Sequence, residues 1–447
     1  MTLRIAINAQ LDPATGVGGV SSFLIALVAA LGKLNDGDEE YLIVMTEGNT
    51  SWLEPYLGPN QQIVTVPSSA QDDQVSGKIG WLDDALRPLV QGIRRLLCPG
   101  MERIERQLGL IERQLWSSKR QLWWNVPVSD GLWEGLGCQV VHFPFQEYEI
   151  CALPTVYNPH DLQHLHYPEF FNASDIARRE AIYPAGCRFS KTVVVASDWV
   201  KSDVLHHYGV HEDKVQVIPW AAPTQAYGES TPEVLEEVRS IYGLTEDYAF
   251  YPAMTWEHKN HIRLLQALAL VRERDGRVVN LVCTGFQHNQ YWERIQSTIE
   301  ELELQSQVHF LGFVPEEHLK SLYRLAQFVI APTLFEASCG PVFEAWQEEV
   351  PVACSTVTSL PEQVGDGALL FDALSVEEIA DTILRMTTDE PFRRQLTERG
   401  SNRLACFSWE RTAKAYRAVY RRAARMPLNT EDKELLNWNW MKVGASS

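Results

Sequence analysis

The chain has 447 residues, too many for one ordinary hydrophobic core, so two or three domains are expected. Its 45% apolar and 22% charged residues are those of a globular protein, and a formal charge of −19 argues against nucleic acid as a partner, because that binding draws on net positive surface. No apolar run reaches the roughly 18 residues of a membrane span, and the opening MTLRIAINAQ reads as a strand rather than a signal peptide, so a cytoplasmic location is expected.

LRIAIN (3–8) begins a series of short apolar runs: YLIVMT (41–46), QIVTVP (62–67), QVVHFPF (139–145), TVYNPHD (155–161), TVVVAS (192–197) and VQVIPW (215–220). Unbroken apolar runs separated by longer helical patterns predict parallel strands buried on both faces. After the first run, GVGGVSSFLIALVAAL (16–31) opens a helix, and Gly18 and Gly19 serve either a tight strand-to-helix turn or the close approach of a ligand to bare backbone. His160 and Asp161 stand at a strand end, where a histidine is either a packing residue or part of a site. The neighbouring His164 and His166 have no companion ligands at metal-site spacing, and the eight cysteines, with no C-x-x-C among them, read as reduced structural residues.

The segment 87–124, which Arg87 opens and Trp124 closes, departs from this alternation. Seven Arg and one Lys stand against three Glu, and Ile104, Leu108, Ile111 and Leu115 recur at helical spacing. Two readings stay open: an amphipathic helix lying on an anionic membrane, on the inner face, or a helix packing its stripe on the first domain or on a second subunit.

A Pro-, Gly- and Ser-rich stretch then marks a linker at 223–240 between a first domain, 1–222, and a second, 241–408; a helix at 409–426 is expected to return to the first domain, with a tail at 427–447. Apolar runs restart with YAFYPAM (248–254), VNLVCTG (279–285), VHFLGFV (308–314), QFVIAPT (327–333), VPVACST (350–356) and ALLFDA (368–373). Two doubly wound α/β domains leave a cleft between their strand ends, the default place for a site. TWEHKNHIRLLQAL (255–268) puts Lys259 and Asn260 near a helix N-terminus, as surface residues or as phosphate ligands.

FEASCGPVFEAW (335–346) sets Glu336 and Glu344 around a Gly340-Pro341 step. Proline is tolerated at a helix start but not in its interior, so a helix is predicted to begin near Pro341 with Glu344 in its first turn and Glu336 on the preceding loop. Glu344 there either complements the helix dipole or binds a ligand.

PTLFEASCGPVFEAW with its E-x7-E pair, the following VPVACSTVTSLPEQVGDGALLFD, TWEHKNH, VVVASDWVKSDVLHHYG and NPHDL together resemble a family 4 retaining glycosyltransferase of the GT-B fold, over roughly 1–67 and 139–425. The resemblance implies two Rossmann-like domains facing each other across a cleft and a nucleotide-sugar donor, with no cofactor and no metal. It implies that Glu344 accepts from the donor ribose, that Glu336 faces the donor sugar, and that Lys259, beside Asn260, neutralises the diphosphate. Gly18 and Gly19 then lie against donor phosphate and acceptor, Gly340 and Pro341 belong to the donor loop, and His160 lies near the anomeric carbon. Likeness of TWEHKNHIRLL to mannosyltransferases of polysaccharide assembly favours GDP-mannose; the acceptor is a glycan, a lipid-linked sugar or a small molecule, and no feature specifies an oligomeric state. An Arg that often precedes the Lys is absent from YPAMTWEHK, which motivates a non-catalytic sugar-nucleotide-binding subunit as an alternative. A GT-B sugar-nucleotide epimerase fits the E-x7-E context less well.

Overall fold

The computed structural model describes residues 2–12, 18–67, 125–222 and 231–440; the basic segment 87–124 lies outside them. Each of the thirteen apolar runs forms a strand. β1 (Leu3–Asn8), β2 (Glu39–Thr46), β3 (Gln61–Val66), β4 (Val140–Phe143), β5 (Thr155–Tyr157), β6 (Thr192–Val195) and β7 (Val215–Val217) make a seven-stranded sheet in the order β3-β2-β1-β4-β5-β6-β7. β8 (Tyr248–Pro252), β9 (Asn280–Thr284), β10 (Val308–Phe310), β11 (Phe328–Ala331), β12 (Val352–Ser355) and β13 (Ala368–Phe371) make a second of six, ordered β10-β9-β8-β11-β12-β13. Every pairing is parallel, as in Ile5↔Tyr41 and Ile5↔Val140 of the first sheet and Phe250↔Val282 of the second.

This strand order locates the chemistry. In the first sheet the chain steps outward from β1 through β2 to β3, then restarts on the other side of β1 with β4. In the second it steps from β8 through β9 to β10 and restarts beside β8 with β11. At such a reversal the two connections leave in opposite directions, opening a crevice at the carboxyl ends of the two central strands. Residues just after β1 and β4, and just after β8 and β11, therefore line the two crevices.

Each domain has its own core, and one helix crosses over. The helix Trp409–Ala423 follows the second domain but packs in the first, where Ala413, Ala415, Tyr416, Val419 and Tyr420 are all fully buried. Asn158 donates to the Tyr416 hydroxyl at 2.8 Å while its carbonyl oxygen meets His142 Nε2 at 2.7 Å. Tyr420 OH reaches His142 Nδ1 at 2.9 Å, and burial pushes the His142 imidazole down to about 3, so it is neutral. At the rim Arg417 pairs with Asp36, and Arg421 with Glu39 at 2.7 Å.

Two boundaries differ from the sequence expectation. The linker is shorter than 223–240, because a helix spans Pro232–Tyr242, capped by Thr231 and burying Val238 against the second core. The tail carries a helix, Thr430–Asn437, with a reciprocal Asn429/Asp432 cap, and Leu435 and Trp440 are buried in the first core. Among the described residues no helix is long and apolar enough to cross a membrane.

Candidate active site

Lys259 follows β8 and Glu336 follows β11, so two residues 77 positions apart meet at the reversal of the second sheet. Their side chains form an ion pair, with Lys259 Nζ on Glu336 Oε1, and remain 21% and 12% exposed. Desolvation pushes the Lys259 ammonium down, but the Glu336 carboxylate, with a smaller pull from Asp161 of the first domain, holds it above the ordinary lysine value. It is a fixed cation.

The backbone around the pair is held at many points. Asn260 adopts a left-handed φ of 62°, and its buried amide donates to Pro332 O and Ala373 O, both at 2.8 Å. Its Oδ1 accepts from Arg263 at 3.0 Å, so Asn260 shapes the turn that presents Lys259 and brings a second cation beside it. Tyr251 OH donates to Lys259 O at 2.9 Å. On the other loop, Ser359 Oγ donates to Glu336 O at 2.7 Å and Glu336 N–H donates to Thr358 Oγ1 at 3.1 Å. Thr358 itself has φ 48°, a costly conformation for a β-branched residue, and its hydroxyl both accepts from Glu336 N–H and donates to Glu336 O.

Glu344 lies one residue deeper in its helix than expected, just past the first turn. The helix spans Gly340–Gln347 with Cys339 as its N-cap, so no acidic residue stands in the first turn, and dipole complementation loses most of its force as an explanation. Tyr323 OH, on the helix Glu316–Leu325, donates to Glu344 Oε2 and orients the carboxylate. Gln363 clamps the N-cap, donating to Cys339 O and accepting from Cys339 N–H, both at 2.9 Å. Burial raises the Cys339 thiol well above its usual range, so it is inert as a nucleophile.

The first domain supplies the facing wall. The helix Gly18–Gly32 begins at Gly18 directly after the β1 connection, and a Cβ added at Gly19 would meet nothing within 4 Å; the same is true of Gly340. Pro341 occupies the first turn of its own helix. His160 follows β5, 5% exposed and left-handed at φ 61°. Its Nε2 lies 2.8 Å from Pro144 O, an acceptor only, so Nε2 carries the proton and Nδ1 is left as the acceptor. Burial lowers its pKa to about 4, and the ring stays neutral, held edge-on by Phe23 and Trp220. Ring contacts between Phe170 and His258 and between Tyr167 and Phe335 bring the His160 segment against the Lys259 and Glu336 loops. Glu362 closes the same side: its carboxylate accepts from Trp199 N–H at 2.6 Å and Asp198 N–H at 3.0 Å, at the N-terminus of the first-domain helix Asp198–Tyr208.

Lys259 and Glu336 thus meet on the second domain, Glu344 stands on the helix that follows Glu336, and His160 belongs to the first-domain segment packed against their loops, while Asn260 is engaged in the scaffold. Sequence reasoning missed Tyr323, Thr358, Ser359, Gln363, Arg263 and Glu362. A cavity of about 990 Å³ lies elsewhere, between the domains beside Lys33, Gln347 and Trp409, and is lined by none of Lys259, Glu336, Glu344 or His160.

Chemically, a fixed cation, a carboxylate that faces it and a second carboxylate oriented by a tyrosine suit a ligand with both phosphate and vicinal hydroxyls. Residues 237–403 match the family model of group 1 glycosyl transferases, and residues 97–225, beginning inside the basic segment, match that of Glycosyltransferase Family 4. O-antigen chain mannosyltransferase B of Escherichia coli is 28% identical over 266 residues, 58% of this chain and 69% of that protein. Serotype-specific mannosyltransferase WbdA of Escherichia coli is 26% identical over 276 residues, 60% of this chain but 32% of that longer protein. Anabaena Alr3699/HepE, solved in complex with UDP and glucose, superposes with a TM-score of 0.63 at 16% identity, covering 93% of this chain and 99% of that one.

Proposed function

Since the chain belongs to family 4 of the glycosyltransferases and has their GT-B fold, we propose that it moves a hexose, with retention, from a nucleoside diphosphate sugar to the hydroxyl of a glycan, a lipid-linked sugar or a small molecule in polysaccharide assembly. The observation that carries this reading is the Lys259–Glu336 pair at the β8/β11 reversal. Glu344, preset by Tyr323, accepts from the donor ribose hydroxyls. Lys259, with Arg263 and the helix N-terminus at Gly340, compensates the diphosphate. As the anomeric C–O bond breaks, its electron pair leaves with the phosphate; the acceptor oxygen attacks the same face, and its proton passes to the departing phosphate oxygen. Glu336 orients the sugar and neutral His160 borders the anomeric carbon without adding charge. Mannosyl relatives on the sequence side favour GDP-mannose as donor. The membrane-lying reading of 87–124 suits a lipid-linked acceptor and an enzyme on the inner face of the membrane.

The test is a donor screen of the full chain against UDP-, GDP- and ADP-sugars with glycan and lipid-linked acceptors, following released nucleotide and the anomeric configuration of the product. Transfer with retention from GDP-mannose, without added Mg²⁺ or Mn²⁺, is expected. Tight donor binding with no turnover on any acceptor supports the non-catalytic subunit motivated by the missing Arg, and an altered free sugar nucleotide supports the epimerase. The donor loop has its own check. Gly340→Ala meets no protein atom, so thermal stability is expected to hold or rise while donor affinity falls at least ~10-fold. Unchanged affinity would mean that the open space belongs to no ligand.

A further inference from the structure

Away from the reacting centre, His166, Asp203 and His207 converge. His166 ends the short helix Gln163–His166, while Asp203 and His207 lie one turn apart on the helix Asp198–Tyr208. His166 Nε2 lies 2.9 Å from both Asp203 oxygens, and His207 Nε2 lies 3.3 Å from Asp203 Oδ1. All three ligand atoms fall within 4.8 Å of one another.

Two features separate this cluster from an ordinary surface ion pair. Asp203 is 8% exposed, and among the described residues its hydrogen-bonding and ion-pair partners are these two imidazoles and no Lys or Arg. The two carboxylate–imidazole spacings, 2.9 and 3.3 Å, fit as well, since ligand atoms about 2.0–2.1 Å from one ion stand ~3–3.4 Å apart. Trp199 and Phe335 tilt against the His166 ring, 5.4 Å away in each case, walling one side.

We propose that His166, Asp203 and His207 form a site for one borderline divalent cation of the Zn²⁺ class, held by two imidazoles and one carboxylate with remaining positions open to solvent. The ion ties the segment that follows His160 and Asp161 to the helix whose N-terminus Glu362 holds, so it fastens a first-domain wall of the cleft. It takes no part in bond making, and the proposal stands independently of the donor and acceptor.

The metal-stripped full chain should be titrated with Zn²⁺ against a chromophoric chelator, with thermal unfolding followed in parallel and Co²⁺ used as a visible-absorption probe. One equivalent bound at micromolar or tighter affinity is expected, with a rise of a few degrees in Tm. His207→Gln and Asp203→Asn should each weaken binding at least ~100-fold. His166→Gln, at an exposed position that does not risk the core, should do the same, while His206→Gln, at the exposed neighbouring imidazole, should leave binding intact. Wild-type binding weaker than ~100 μM, or binding equally reduced in His206→Gln, would overturn the site.

Discussion

Replacing Lys259 by methionine is expected to lower turnover at saturating donor by roughly 10²–10³-fold, the usual consequence of removing one group from a charge-stabilising constellation. The ion pair with Glu336 complicates the single substitution, because it strands a carboxylate that is 12% exposed. Loss of a partner alone can disturb such a site, whereas replacing both partners of a buried pair by neutral groups is often harmless to stability. The double variant Lys259→Met/Glu336→Gln therefore decides between two roles. If the pair only staples the two loops, the double variant recovers towards wild type. If Lys259 meets the diphosphate and Glu336 the sugar, it stays at least as slow as the worse single variant while its Tm returns close to that of the wild type. Steady-state kcat with thermal unfolding on all four proteins completes the cycle, and recovery of turnover would return the pair to a purely structural role.

Glu344→Gln should show the complementary signature. The amide keeps the shape and can still accept from Tyr323, but it loses the charge that strengthens bonds from ribose hydroxyls. A charge-assisted bond of roughly 1.5–3 kcal/mol corresponds to a loss of ~10–100-fold in affinity for the free nucleoside diphosphate. Turnover at saturating donor should change by no more than a few-fold, because the contact lies away from the breaking bond. Tyr323→Phe, which removes the orienting hydroxyl alone, should cost only a few-fold in affinity. Calorimetric titration with GDP and UDP reads all three proteins; wild-type affinity in Glu344→Gln would remove the residue from the nucleotide site.

How much of this was legible in the sequence follows from what kind of interaction each residue makes. The thirteen strands were legible because parallel strands buried on both faces must be continuously apolar, and the chain has few other ways to use such runs. Glu336 and Glu344 were visible because a Gly-Pro step forces a loop before a helix. Its first residue was not, since Cys339 is an N-cap that lacks the usual Ser, Thr, Asp or Asn signature. The helix at Pro232–Tyr242 did carry such a signature, Thr231 followed by Pro232, but the neighbouring Gly, Ser and Pro content read as linker. The partners of the site were hidden for a different reason. Lys259 meets Glu336, Tyr323 meets Glu344, Thr358 and Ser359 hold Glu336, and His166 finds Asp203 37 residues along the chain, all through contacts set by strand order and helix packing. Local spacing carries no record of those.

The helix Trp409–Ala423 gives the chain an unusual order of assembly. The first domain buries Ala413, Ala415, Tyr416, Val419 and Tyr420 from this helix, and two of the bonds that neutral His142 and Asn158 make inside its core go to Tyr416 and Tyr420. During synthesis those groups emerge only after all of β8 to β13 has left the ribosome. The second domain can therefore complete its core while the first still waits with polar groups unsatisfied, reversing the common sequence in which the N-terminal domain finishes first. In this sense the second domain is an insertion within the first, and residues translated late are what commit much earlier ones to their final packing.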